Sequence, residues 1–207
     1  MGLSNYTELK DSIANFLARD GDTTVTDKIP DFISLAEARM NRILETRSQV
    51  TRVTGATVAD DEFIPLPTAL RMLENVKLET DPVTVLDYVT PYQLYNEIPS
   101  SSTGKPKYYS VVGTEIALRP IPDKVYSITL YYRNEIAALS DGNAFNTVLR
   151  RHPDAYLYGA LSAASIYLMD DQRAAQFDSV FTRTMDEIVR DTQNGRYGGS
   201  LTIRSEY

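Results

Sequence analysis

The sequence predicts an α+β fold: an α-helical bundle formed by N- and C-terminal helices, an antiparallel β-sandwich or barrel inserted between them, and an extended C-terminal arm. Three observations predict it. Apolar residues recur every three to four positions up to about residue 48. From about Val50 to Arg133 the period falls to two and the chain is rich in Val, Thr, Tyr and Pro. The helical period returns after Ser140-Asp141-Gly142. Neither terminal part has helices enough for a bundle alone, whereas together they do. The expected divisions are 1–48 and 136–194 for the bundle, 49–135 for the β-domain and 195–207 for the arm.

In the first helix, Tyr6, Leu9, Ile13, Phe16 and Leu17 share one face. Asn5 followed by Glu8 has capping-box spacing, and Gly21 reads as a stop. The second helix is expected to open at Thr26 or Asp27 and to tolerate Pro30 in its first turn. Its buried face would be Ile29, Phe32, Ile33, Ala36, Met40, Ile43 and Leu44.

In the β region the clearest strand is "VYSITLYYR", with Tyr126, Ile128, Leu130 and Tyr132 on one face and Ser127, Thr129 and Arg133 on the other. "YYSVVGTEIALRP" reads as a hairpin with a type II′ turn at Gly113-Thr114, because glycine accepts positive φ there. "RMLENVKLET" and "VTVLDYVT" form a second pair around Asp81-Pro82, and "PYQLYNEIPSSSTGKP" a short helical turn running into a loop.

Beyond it, Asn146 caps a short helix that stops before Pro153. "PDAYLYGALSAASIYLMDD" is apolar on nearly every side and small at Gly159, Ala160, Ser162, Ala163, Ala164 and Ser165, the marks of a central, closely packed helix. The last helix carries Ala174, Phe177, Phe181, Met185, Ile188 and Val189 on its face and is expected to end at Gly195.

At 207 residues and 43% hydrophobic, the chain can bury a core without a covalent or metal staple. Cysteine is absent, which excludes disulfides, thiolate metal clusters and a cysteine nucleophile. A formal charge of −7 disfavours a nucleic-acid reader, which needs a cationic surface. Nothing approaches the ~20 apolar residues of a membrane span or a targeting leader, so a soluble, untargeted product is expected.

Few residues suggest chemistry. His152 is the single histidine, beside Pro153 at a helix start, and reads as structural. Asp60, Asp61 and Glu62 would point to alternating faces of a strand and read as a solvated turn, not a cation site. Asp170 and Asp171 read as helix caps. "GGSLT" follows a helix instead of opening one, the wrong context for a phosphate cradle. No catalytic, cofactor-binding or metal site is expected. A carbohydrate- or protein-binding module built on the β-domain would use Tyr108, Tyr109, Tyr131 and Tyr132 as its interface, although paired strand tyrosines commonly put one ring inside. A hydrolase using paired carboxylates is the other alternative.

The ending "NGRYGGSLTIRSEY" carries a different signal. After Arg196 and Tyr197, Gly198 and Gly199 swivel freely. Following Ser200, Leu201 and Ile203 then fall on one side of an extended segment, Thr202 and Arg204 on the other, with Tyr207 last. Such an arm suits strand addition to another subunit's sheet.

Along nearly its whole length the sequence resembles the head–tail adaptor, or connector, proteins of short-tailed bacteriophages. The likeness lies in "DFISLAEARMNRIL", "FIPLPTALRMLENVKLE", "YVTPYQL", "GKPKYYSVVGTEIALRPIPDKVYSITLYYR", "ALSD", "PDAYLYGALSAASIYLMDDQR" and "NGRYGGSLTIR", in that order; "LPTALRML" departs from the expected pattern. The resemblance implies a structural virion protein of the neck, assembled in the host cytoplasm. It also implies a ring, usually twelvefold, beneath the portal protein, with a DNA channel read without sequence and a platform for tail nozzle and fibres. It assigns Arg196–Tyr207 to portal docking.

Overall fold

The computed structural model describes residues 3–18, 22–44, 49–98 and 102–196. In chain order the elements are α1 (Tyr6–Phe16), α2 (Thr23–Thr26), α3 (Ile29–Ile43), β1 (Val50–Ala56), β2 (Phe63–Pro65), β3 (Leu70–Leu78), β4 (Thr84–Val85) and β5 (Asp87–Tyr88). There follow α4 (Pro91–Asn96), β6 (Thr103–Gly104), β7 (Tyr108–Val112), β8 (Glu115–Arg119), β9 (Ile121–Pro122), β10 (Ser127–Asn134), α5 (Thr147–Arg151), α6 (Pro153–Tyr167) and α7 (Asp171–Arg196). The fold is mixed α+β. The chain divides into two compact units, residues 1–48 with 136–207, and residues 49–135.

In the helical unit, Asn5 caps α1 by accepting from the Glu8 N–H at 2.9 Å. The Glu8 carboxylate turns back to Ser4, accepting from its N–H and its hydroxyl, so the reciprocal half of the box lies one residue earlier than expected. Tyr6, Leu9, Ile13 and Leu17 are buried, but Phe16 is 49% exposed because Leu17 takes the inward position at the helix end. The second helix starts later than the sequence suggested. Asp22 accepts from Thr24 N–H and caps a separate turn, α2, so α3 begins only at Ile29 with Pro30 in its first turn. Its core face matches expectation except at Ile43, which is largely exposed beside fully buried Leu44.

Helix α6 lies at the centre. Ala155, Tyr156, Leu157, Gly159, Ala160, Leu161, Ala164 and the hydroxyl residues Ser162 and Ser165 are all buried. Gly159 marks the closest approach: a Cβ there would sit 2.9 Å from Ala36 Cβ on α3 and 2.9 Å from the Phe181 ring on α7. Arg39 of α3 stacks 4.4 Å from the same ring and pairs with Asp178 of α7 at 2.7 Å.

A buried polar cluster ties the returning chain to these helices. Glu37, only 6% exposed, accepts through Oε1 from Leu139 N–H at 2.8 Å and from the Tyr156 hydroxyl at 3.0 Å. One turn along α3, Asn41 Oδ1 accepts from Ile136 N–H at 2.8 Å. Asn146 donates to Ala137 carbonyl and to the Tyr156 hydroxyl, while its Oδ1 caps α5 through Leu149 N–H. Burial holds the Glu37 carboxyl above its ordinary range, partly opposed by its two donors, and pushes the Tyr156 phenol up.

In the β unit, strands run in the orders β1-β10-β3-β4 and β2-β8-β7-β5, with β6-β9 as a separate pair. The strands do not close into a barrel. After Val85 the chain leaves β3, and Asp87-Tyr88 joins β7 in the other sheet, so each four-stranded sheet keeps two open edges. Nor is every pairing antiparallel: β5–β7 is parallel, with α4 and its loop as the crossover, and β6–β9 is parallel, with the β7–β8 hairpin between them. One apolar cluster draws Val76, Leu78, Tyr126, Ile128, Leu130 and Tyr132 from the first sheet and Tyr109, Ile116 and Leu118 from the second. The hairpin has the expected two-residue loop, with φ +61° at Gly113 and no positive φ at Thr114. On the far face of β10, Thr129 and Arg133 are buried as well, paired with Glu79 and Glu74.

Replacing Gly159 by Val should lower stability by about 1–3 kcal/mol through overpacking between three helices, measured as a depressed Tm by circular dichroism. Because the folded-state value of Glu37 is raised, its protonated form suits the fold. Its contribution therefore grows as pH falls toward the ordinary glutamate value of 4.5 and is lost as pH rises through the raised value. Glu37→Gln keeps an acceptor without the charge. Its Tm should exceed that of the unsubstituted chain most near pH 7, and the gap should narrow as pH falls toward 4.5.

Candidate interaction surfaces

Of the arm residues, Arg196 closes α7, which runs through Gly195 instead of stopping there. Tyr197, Gly198, Gly199, Ser200, Leu201, Thr202, Ile203, Arg204 and Tyr207 lie outside the described residues, as does Gly21.

The four strand tyrosines separate by the alternation of a strand. Tyr109 and Tyr132 are core residues, whereas Tyr108 and Tyr131 are half-buried, Tyr131 with the Lys77 ammonium 5.5 Å from its ring. In the β unit the prominent exposed rings are others: Tyr88, Tyr92 (74% exposed) and Tyr95. They lie on β5 and α4. Pro91 opens α4, and Thr90 and Gln93 form a full capping box, each side chain accepting from the other's backbone N–H. Leu94 is then the buried residue of the turn, which leaves Tyr92 and Tyr95 facing out. Tyr88 packs edge-on against Tyr109 at 5.6 Å, joining the exposed group to the core. The signal was available in "PYQLYN", whose one aliphatic residue selects the inward face.

Beneath Tyr95 lies an ion pair. Arg119, 3% exposed, meets Glu62 at 2.9 Å, with its guanidinium 5.6 Å from the Tyr95 ring. The acidic run therefore does two jobs. Asp60 takes a positive φ of 63° and Asp61 accepts from Phe63 N–H at 3.0 Å, which forms the expected turn. Glu62 is not solvated but paired inside. Asp170 Oδ1 accepts from Arg173 N–H at 3.1 Å at the start of α7, as a cap does. His152 precedes α6 without a side-chain capping bond.

A shallow cleft of about 350 Å³ is lined by Phe145, Asn146, Thr147, Arg150 and Arg151, with the Arg150 guanidinium 4.9 Å from the Phe145 ring. It brings no carboxylate pair or nucleophile–base pair together. Among the described residues no group of three or more His, Asp or Glu is placed to hold a metal ion, and no helix is long and apolar enough to cross a membrane.

A family model described as the SU10 adaptor protein matches residues 4–204. The chain belongs to that family, a class of bacteriophage head–tail adaptors, and is a structural virion component. None of the curated proteins matches it.

Proposed function

We propose that this chain forms a ring, dodecameric in the manner of such adaptors, beneath the portal protein of a short-tailed phage. The ring extends the DNA channel and presents a platform for the tail nozzle and fibres. The family match over residues 4–204 carries this reading. In it the terminal helices make a bundle around α6, and the β unit is an inserted sandwich. The exposed group Tyr88, Tyr92 and Tyr95, with Tyr108 and Tyr131, suits the tail-facing platform, since amphipathic rings serve protein interfaces. No turnover is assigned to the chain.

The arm, Arg196–Tyr207, docks on the portal by strand addition. The family match extends through Arg204, so most of the arm lies within the family's own extent. The net charge of −7 per copy, multiplied round a ring, supports a channel lining that repels the DNA backbone and lets it pass.

Removing Arg196–Tyr207 should leave helical circular dichroism unchanged and abolish capture by immobilised portal rings. Full retention of portal binding removes the arm from docking. Negative-stain images of the protein with portal should show an added ring coaxial with the channel; particles without a ring refute the adaptor assembly proposed here.

A further inference from the structure

The two four-stranded sheets leave four edges, and three are blunt. β4 and β5 are two residues long, and β2 has three, ending in Pro65. The fourth edge, β1, runs seven residues, Val50 to Ala56, in unbroken register with β10 and without proline. All are exposed except half-buried Thr51. Thr57 N–H bonds the Tyr126 carbonyl at 2.9 Å, so counting back in twos assigns Gly55, Val53 and Thr51 to the ladder with β10. The N–H and C=O groups of Ala56, Thr54, Arg52 and Val50 then point away from it. No backbone hydrogen bond among the described residues takes them. Proteins ordinarily protect a long β-branched edge of this kind, because it templates the addition of another extended chain.

We propose that the C-terminal segment Ser200–Glu206 of a second copy adds to the outer edge of β1. This rests on reading the arm as a strand that links subunits, but not on the portal as its partner. "SLTIRSE" matches β1 in length, has no proline and is two-faced. Leu201 and Ile203 suit the face on which Val53 lies opposite core residue Leu130. Thr202, Arg204 and Glu206 suit the face of Arg52 and Thr54, where the carboxylate of Glu206 complements the one charge on β1.

The chain has no cysteine, so introduced thiols report without background. Two measurements on the purified protein, without portal, test the pairing. Hydrogen exchange compares the full chain with one ending at Gly195. The amides of Arg52, Thr54 and Ala56 should exchange about tenfold or more slower in the full chain, and equal exchange overturns the proposal. Separately, chains carrying Thr54→Cys are assembled with chains carrying Thr202→Cys, Arg204→Cys or Glu206→Cys. A disulfide between unlike chains in at least one mixture is expected; its absence from all three overturns pairing with a second copy. Portal capture is read independently, so a failed capture with a protected edge removes portal docking alone, and the reverse removes the edge pairing alone.

Discussion

The helical unit depends on one buried carboxylate. Glu37 lies on the apolar face of α3, four residues after Ile33 and three before Met40, where a hydrophobic residue would be the simple choice. There it receives the Leu139 amide from the chain returning out of the β unit and the Tyr156 hydroxyl from α6. An apolar residue there would leave those two donors unpaired, at about 1–3 kcal/mol for each lost partner. Asn41, one turn on, fixes Ile136 in the same way. The pair sets the return path to within a residue, because an apolar contact can slide where a hydrogen bond cannot. Tyr6 N–H bonding to the Ala144 carbonyl then ties α1 to the same segment.

Gly159 is the steric counterpart of that polar clamp. Three helices from two distant stretches of sequence converge on it, and the space a methyl would need is already held by Ala36 and Phe181. Arg39 stacks on the same ring and pairs with Asp178, so the crossing is capped by charge. Close packing gives the crossing its shape, and Glu37 determines which segment returns beside it.

What the sequence made legible follows from what is local. The caps at Asn5, Asn146 and Asp170, the Gly113 turn and the inward face of β10 each depend on residues within a few positions. Where local signals competed, the reading slipped: Asp22 out-competes Thr26 as a cap and splits off α2, and Leu17 displaces Phe16 from the core. Non-local pairings were not legible. The switch of Asp87-Tyr88 into a parallel pairing and the meeting of Glu62 with Arg119 join positions that no period connects. Among the surfaces, alternation foretold that each tyrosine pair would divide, but not that Tyr92 and Tyr95 would outrank Tyr108 in exposure. The family likeness was carried by the order of many weak motifs, and that order is what the match over residues 4–204 spans.

The β1 edge bears on why such a chain would close into a ring. A strand donated by one copy to β1 of the next joins two unlike surfaces, so the contact is heterologous, and the pair still has one arm and one edge free after the first pairing. Such a contact propagates until rotation closes it, whereas an edge-to-edge pairing of β1 with β1 would satisfy both copies at once and stop at a dimer. An arm that pairs with a neighbour's edge has half of its backbone donors and acceptors, those facing the edge, satisfied before a larger partner arrives. If the arm also docks on a portal, as proposed, that partner would take the segment by exchange and not by ordering a free chain, the conformational entropy of extension having been lost already in the pairing between copies.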